Sequence, residues 1–171
     1  FYWDQVLIKN SNIIHNFRIK FIKSVNDFFG NHPDSQINTL SLNYHPSLLS
    51  EEKLKRNYPI DLHRGYTQIG VHRDDFSFDN NIFPSSDKNL AFWGSRGQQR
   101  LAVLALRLGQ INFLEQNYQD KPILLLDDIF SELDSEHQQL VSKICQNYQT
   151  IFTSSEPESV KLLSQAKLIQ L

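Results

Sequence analysis

Apolar residues recur at helical spacing through residues 4–29. Leu7, Ile14, Phe17, Phe21, Val25 and Phe28 form one stripe, and Lys9, Lys20, Lys23 and Asp27 fall largely off it. This predicts one long amphipathic helix. Gly30 ends it and Pro33 prevents its resumption. No partner for the stripe stands out in the pattern, so one is expected upstream of Phe1. From Gln36 to Tyr44 the period drops to two, with Leu40, Leu42 and Tyr44 alternating against polar neighbours, which predicts a half-buried strand. Ser50-Glu51-Glu52 then opens a short helix with an N-cap serine and acids in its first turn. Pro59 is expected to stop it at Tyr58. Tyr66 to Val71 reads as a strand, Phe76 to Ile82 as a hairpin turning at Asp79 to Asn81, and Ala91 to Gly94 as a linker.

The next helix is expected from Ser95 to about Tyr118, with Leu101, Leu104, Ala105, Leu108 and Ile111 as its stripe. Beyond it lies the most informative stretch, Ile123-Leu124-Leu125-Leu126-Asp127-Asp128. Four consecutive apolar residues without alternation fit a strand buried on both faces of a parallel sheet. A helix over Ser135 to Asn147, a buried strand over Thr150 to Thr153, a helix over Pro157 to Ser164 and a strand over Lys167 to Leu171 complete the pattern. Such alternation predicts right-handed crossovers in a parallel sheet.

Composition narrows the picture by exclusion. One cysteine, Cys145, cannot form an intramolecular disulfide, and no Cys/His cluster has zinc spacing. Cys145 shares a helix face with Leu140, Val141 and Ile144, which fits packing. No signal peptide or membrane-length apolar run is present, so a reducing, cytoplasmic setting is expected, with no membrane partner. The net charge of −2 carries no nucleic-acid footprint, although residues 1–64 hold eight Lys/Arg against six Asp/Glu and residues 65–171 hold nine against thirteen. The 171 residues contain no methionine, even at position 1, so the chain is expected to be part of something longer or a processed product.

Three groups invite chemistry. Asp127 and Asp128 end a predicted strand, at the carboxyl edge where open α/β sheets bind ligands; the plainer alternative is that they cap a turn or helix. Ser95 with Gln98 is a capping-box pattern at a helix start, where unsatisfied N–H groups and partial positive charge make an anion site. Gly97 would let a phosphate approach the backbone, and simple capping is the alternative. His72-Arg73-Asp74-Asp75 could place a base beside metal-binding acids, or form an internal ion-pair and turn network.

Ser95-Arg96-Gly97-Gln98-Gln99-Arg100, a helix of about twenty residues and then Leu-Leu-Leu-Asp-Asp-Ile-Phe-Ser-Glu-Leu-Asp stand in the order and spacing of one family. The chain resembles the C-terminal part of RecF, the bacterial gap-repair ATPase family related to the SMC heads. Phe1-Tyr2-Trp3-Asp4-Gln5-Val6-Leu7, Gly70-Val71-His72-Arg73-Asp74-Asp75 and Gly94-Ser95 agree, so the resemblance covers nearly the whole chain. It implies an α/β fold, the C-terminal half of an ATP-binding-cassette or SMC-type P-loop ATPase head. Residues 65–171 would form this half-head, a parallel sheet with helices, with the signature at 95–100, Walker B at 123–128 and the D-loop at 131–134. Residues 1–64 would be a helical arm or lobe II segment, with a small antiparallel hairpin preceding the sheet.

The resemblance also implies roles. Asp127 would hold Mg²⁺ and Asp128 would be the general base for the attacking water. Ser95, Gly97 and Gln98 would bind ATP held by the opposite subunit of a head-to-head homodimer. Ser131 and Asp134 would belong to the D-loop, and Ser154 or Ser155 would contact the γ-phosphate. ATP and Mg²⁺ are the implied cofactors. Single-strand/double-strand junction DNA and recombination mediator proteins are the implied partners, with action in replication, gap repair and the SOS response. Lys20, Lys23, Lys53, Lys55 and Arg56 are candidates for DNA contact.

The chain departs from the family pattern in three places. Val71 replaces a usual proline before His72, Ser154 and Ser155 stand where transporter relatives place a histidine, and no Gly-x-x-x-x-Gly-Lys-[Ser/Thr] loop occurs. This chain alone is therefore expected to bind ATP poorly. Alternatives are a half-head that assembles with a partner supplying the P-loop, and an overcoming-lysogenisation-type nuclease on the same head.

Overall fold

The computed structural model describes residues 2–84, 86–118, 121–129, 133, 135–154, 167 and 169, apart from the side chain of residue 136. Its longest element, α1 (Tyr2–Gly30), is followed by a one-turn helix α2 (Ser35–Asn38) and strand β1 (Leu40–His45). Asp34 explains the short helix: its carboxylate accepts from the Gln36 N–H, so the strand expected from Gln36 begins only at Leu40. Helix α3 (Glu51–Arg64) runs through Pro59 rather than ending before it. Its ends are set by caps instead: Ser50 Oγ accepts from the Lys53 N–H, and Gly65, left-handed at φ 75°, donates its N–H to Asp61 O. No residue of α3 is buried, so water can satisfy the carbonyl that Pro59 leaves unpaired.

Tyr66 to Val71 is not a strand. Gly70 sits at φ 125°, ψ 178°, a region open essentially to glycine alone, and turns the chain into a short 3₁₀ segment, Val71–Arg73. Strand β2 (Asp75–Asn80) then pairs antiparallel with β1 from Leu40 opposite Asn80 to His45 opposite Asp75. The antiparallel pair thus joins segments distant in sequence, not two arms around Asp79 to Asn81. The chain does reverse after Asn80, whose N–H donates to Lys88 O, but over a wider loop. Asn26 of α1 closes the outer edge of β1 by accepting from Leu42 N–H and donating to Leu42 O.

The expected linker forms a one-turn helix, α4 (Leu90–Trp93), before α5 (Arg96–Asn117). A Cβ on Gly94 would lie 2.7 Å from Leu90 O, so only glycine fits this junction. The partner of α1 is α5, and it lies within the chain. Gly109 brings the two helices together: a Cβ there would stand 3.1 Å from Val25 Cγ1. Phe113 packs edge-on against Phe21, with ring centroids 5.2 Å apart. The N-terminal half of the expected stripe stays exposed, with Leu7 and Phe17 about half accessible.

Helix α5 organises both cores. Leu101, Ala102, Ala105 and Leu108 face Val25, Phe29, Ile37, Leu40, Leu42 and Leu90, whereas Leu104 joins Val141 and Cys145. The second core is roofed by β3 (Leu124–Asp127), α6 (Ser135–Cys145) and β4 (Thr150–Thr153). Strands β3 and β4 pair in parallel, Leu124 opposite Thr150 through Asp127 opposite Thr153. The sheet is covered on one face only: Leu124 is buried, but Leu125 is 74 % and Ile151 59 % exposed. The expectation of strands buried on both faces therefore fails for the described residues, because helices α5 and α6 supply a single layer. The helix expected at 157–164 lies outside the described residues, as does the last strand except for Lys167 and Ile169.

Candidate functional site

The two acids sit where the sequence pattern places them, at the carboxyl end of β3. Asp127 is exposed and ends the strand; Asp128 follows with φ 44°, the one non-glycine residue of positive φ among those described. A continued strand would point adjacent side chains to opposite faces. The left-handed residue breaks that alternation at the edge, at a cost that Asp tolerates better than most residues.

The neighbouring strand ties this corner down through Thr153, a residue sequence reasoning missed. Its hydroxyl donates to Asp127 Oδ1 at 2.5 Å, and the Asp128 N–H donates to Thr153 O and Oγ1, both at 3.2 Å. The signal lay in the strand lengths: two four-residue parallel strands in register bring their last residues, Asp127 and Thr153, opposite one another. Ser154 and Ser155, the residues expected to contact the γ-phosphate, follow Thr153 directly in the sequence. Ser154 is half-buried just past the strand, while Ser155, Ser131 and Asp134 lie outside the described residues.

Exposed carboxylate and hydroxyl oxygens form a hard donor set suited to Mg²⁺. Among the described residues no group of three His, Cys, Asp or Glu could hold a metal alone. Mg²⁺ is usually held by one or two carboxylates together with substrate phosphates, and Asp127 and Asp128 are carboxylates that could serve.

The second candidate surface is the start of α5. Ser95 Oγ accepts from the Gln98 N–H at 3.3 Å and Gln98 Oε1 accepts from the Ser95 N–H at 2.8 Å, a complete capping box. Among the described residues, the bonds of Ser95 stay within its own turn. The cap uses a lone pair of the hydroxyl and leaves its proton for another acceptor. No acid lies in the first turn, Arg96 does, and a Cβ on Gly97 would meet only Ser95 Oγ, at 3.9 Å. Nothing in the packing of the described residues requires that glycine, and the bare backbone is open to an anion. A groove of about 430 Å³ is lined by Arg96, Arg100 and Val103 of α5 together with Leu126, Ile129 and Leu133.

The third group divides. Asp74 is 4 % exposed and accepts from Arg18, from the Tyr44 hydroxyl and from the Ser47 N–H. Burial alone would raise its pKa; the bonds from Tyr44, Ser47 and Arg18 outweigh that and hold it below the usual carboxylate value. His15 Nδ1 meets the Tyr44 oxygen at 2.6 Å. With the Tyr44 proton given to Asp74, Nδ1 is the donor to the Tyr44 oxygen, and buried Nε2 finds no partner among the described residues. His72 Nε2 meets Thr67 O, and Arg73 stacks over the Tyr66 ring at 5.4 Å. This motif is a brace joining α1, β1 and the start of β2, which is the structural reading of its sequence. Lys20, Lys23, Lys53, Lys55 and Arg56 are all exposed, on α1 and α3.

No family model matches the chain. It is similar to the DNA replication and repair protein RecF of Clostridioides difficile, 31% identical over 95% of this chain and 47% of that protein. RecF of Lachnoclostridium phytofermentans is 36% identical over 88% of the chain and 42% of the relative. Two solved structures of the recombination mediator protein RecF in the RecFOR pathway, one with ATPrS and one with ATP, superpose with TM-scores of 0.66 and 0.65. They share 27% and 26% identity with the chain, cover 91% of it, and are covered over 44% and 43% of their own length. The chain thus spans about half the length of the curated relatives it matches.

Proposed function

Because this chain belongs to the RecF family and corresponds to its C-terminal part, we propose that it supplies the acidic edge and signature turn of an ATP-dependent DNA-repair protein. The observation that carries this reading is the joint presence of the Asp127–Asp128 corner, held by Thr153, and an α5 N-terminus stripped to glycine. Bound Mg²⁺-ATP brings the γ-phosphoryl group and neutralises its charge. The chain's own part is positioning: Asp127 offers a carboxylate oxygen to the ion, and Asp128 orients the attacking water and takes its proton. Ser95 donates its hydroxyl proton, and Gly97 its backbone N–H, to a phosphate bound by the facing copy. Leu133 is the one described residue of the segment 131–134, assigned to the D-loop.

The uncovered face of β3 and β4 supports the same reading. Parallel sheets are buried on both sides, so Ile123, Leu125 and Ile151 are complemented by the other half of the polypeptide, which carries the phosphate-cradling loop this chain lacks. The intact protein is then a Mg²⁺-dependent, DNA-stimulated ATPase. Closed by ATP into a homodimer, it binds single-strand/double-strand junctions and works with recombination mediators in gap repair and the SOS response. Exposed Lys20, Lys23, Lys53, Lys55 and Arg56 serve the sugar-phosphate backbone. Among the described residues, no helix is long and apolar enough to cross a membrane.

Fluorescence anisotropy of a labelled gapped duplex with the intact polypeptide tests this reading. Binding is expected with Mg²⁺-ATP, weak with ADP, and falling steeply with salt; equal binding with both nucleotides contradicts it. Gly97→Ala sharpens the test. Alanine fits the space and favours a helix by roughly 0.5–1 kcal/mol, so the thermal midpoint should hold or rise. ATP-dependent dimerisation should weaken by about tenfold or more, equivalent to ~1.4 kcal/mol. Dimerisation at the wild-type ATP concentration would show that Gly97 only caps the helix.

A further inference from the structure

The hydrogen bonds at the end of β3 converge on one side chain outside the signature, Walker B and D-loop segments. Thr153 Oγ1 gives its proton to Asp127 Oδ1 while accepting the Asp128 N–H, which is shared with the Thr153 carbonyl. One hydroxyl therefore touches both acids. We propose that Thr153 is the positioning residue of the acidic edge, setting the carboxylate of Asp127 and the backbone of Asp128 before any nucleotide arrives; this rests on the functional reading above.

Two physical consequences follow. With Oδ1 engaged by the hydroxyl, the rotation of the Asp127 carboxylate is restricted and Oδ2 is left for an incoming cation. Asp128, held at φ 44°, occupies a conformation that persists only where the surroundings over-determine it, and the two bonds to Thr153 contribute to that constraint. Serine retains the hydroxyl without the methyl group. Valine keeps the branched shape of threonine and removes the hydroxyl, while the backbone carbonyl remains as partner for the Asp128 amide.

The test compares Thr153→Val and Thr153→Ser in the intact polypeptide. Valine is expected to lower kcat and raise the Mg²⁺ concentration for half-maximal ATP binding, each by about 10- to 100-fold, the range for residues that orient metal ligands. Serine should restore both to within about threefold of wild type. A readout free of nucleotide accompanies them: amide hydrogen exchange at Asp128 should quicken about fivefold or more in the valine variant, the effect of losing one hydrogen bond, and return to the wild-type rate with serine. Unchanged exchange in Thr153→Val, or a serine variant as defective as valine, would overturn the positioning role. Absence of turnover in the wild-type protein would instead overturn the functional reading, and the exchange measurement would still decide the role of Thr153.

Discussion

Replacing Asp128 by Asn in the intact polypeptide should cut ATP turnover by about 10²–10⁴-fold, the usual contribution of a positioned base. The substitution is informative because it keeps the size of the side chain while removing its charge. Asn is as tolerant as Asp of the left-handed region, so φ 44° is retained. The two bonds from the Asp128 amide to Thr153 are made by the backbone and survive the change. What the change removes is the capacity to accept a proton from water. Single-turnover phosphate release should therefore fall while ATP binding remains. Turnover equal to wild type would remove Asp128 from the role of base, leaving it as the residue that turns the chain after the strand.

Asp74→Ala should destabilise the protein by about 2–4 kcal/mol, because it leaves part-buried hydrogen-bond donors unpaired while the 38 % exposed Arg18 can turn to water. The loss takes a partner from Arg18, the Tyr44 hydroxyl and the Ser47 N–H at once. Those three groups belong to α1, β1 and the loop after it, so the effect reaches the seat of the whole brace. The same carboxylate sets an acid limit. Its pKa is depressed in the fold, so its contribution is full above the unfolded carboxylate value of about 3.9. The contribution fades as pH falls through the lower folded value. Denaturant midpoints measured from pH 6 down to 3 should decline less steeply in Asp74→Asn than in wild type; parallel curves would show that Asp74 is not a major part of acid sensitivity.

Elements whose periodicity was strong were legible without coordinates: α1, α5, β3, α6 and β4 all lie within a few residues of their predicted spans. The failures share a cause. Pro59 looked like a stop, but α3 is so exposed that an unpaired carbonyl costs little and the Ser50 and Gly65 caps decide its ends. The segment before His72 is apolar enough for a strand, yet the backbone of Gly70 forbids one. Long-range pairing was invisible too. Nothing local told that β2 would reach back to Leu40–His45, or that Gly109 would let α1 sit on α5.

The site was legible in part. Asp127, Asp128, Ser95 and Gly97 announce themselves through residue type and spacing, because strand ends and helix starts carry local signatures. Thr153 does not, since its role arises only when two strands meet in register. Of the two readings of His72-Arg73-Asp74-Asp75, burial supports the ion-pair network at Asp74, which is enclosed by three donors, whereas Asp75 accepts from the adjacent Phe76 N–H at the surface.

The central claim is that the Ser95 turn of one copy completes the nucleotide site of another. Light scattering of the intact Asp128→Asn protein, in which ATP is held but turned over slowly, tests it most directly. The account predicts a dimer with Mg²⁺-ATP, a monomer with ADP, and a monomer with ATP when Gly97→Ala is added. A monomer under all three conditions, or a dimer indifferent to nucleotide and to Gly97, would contradict it.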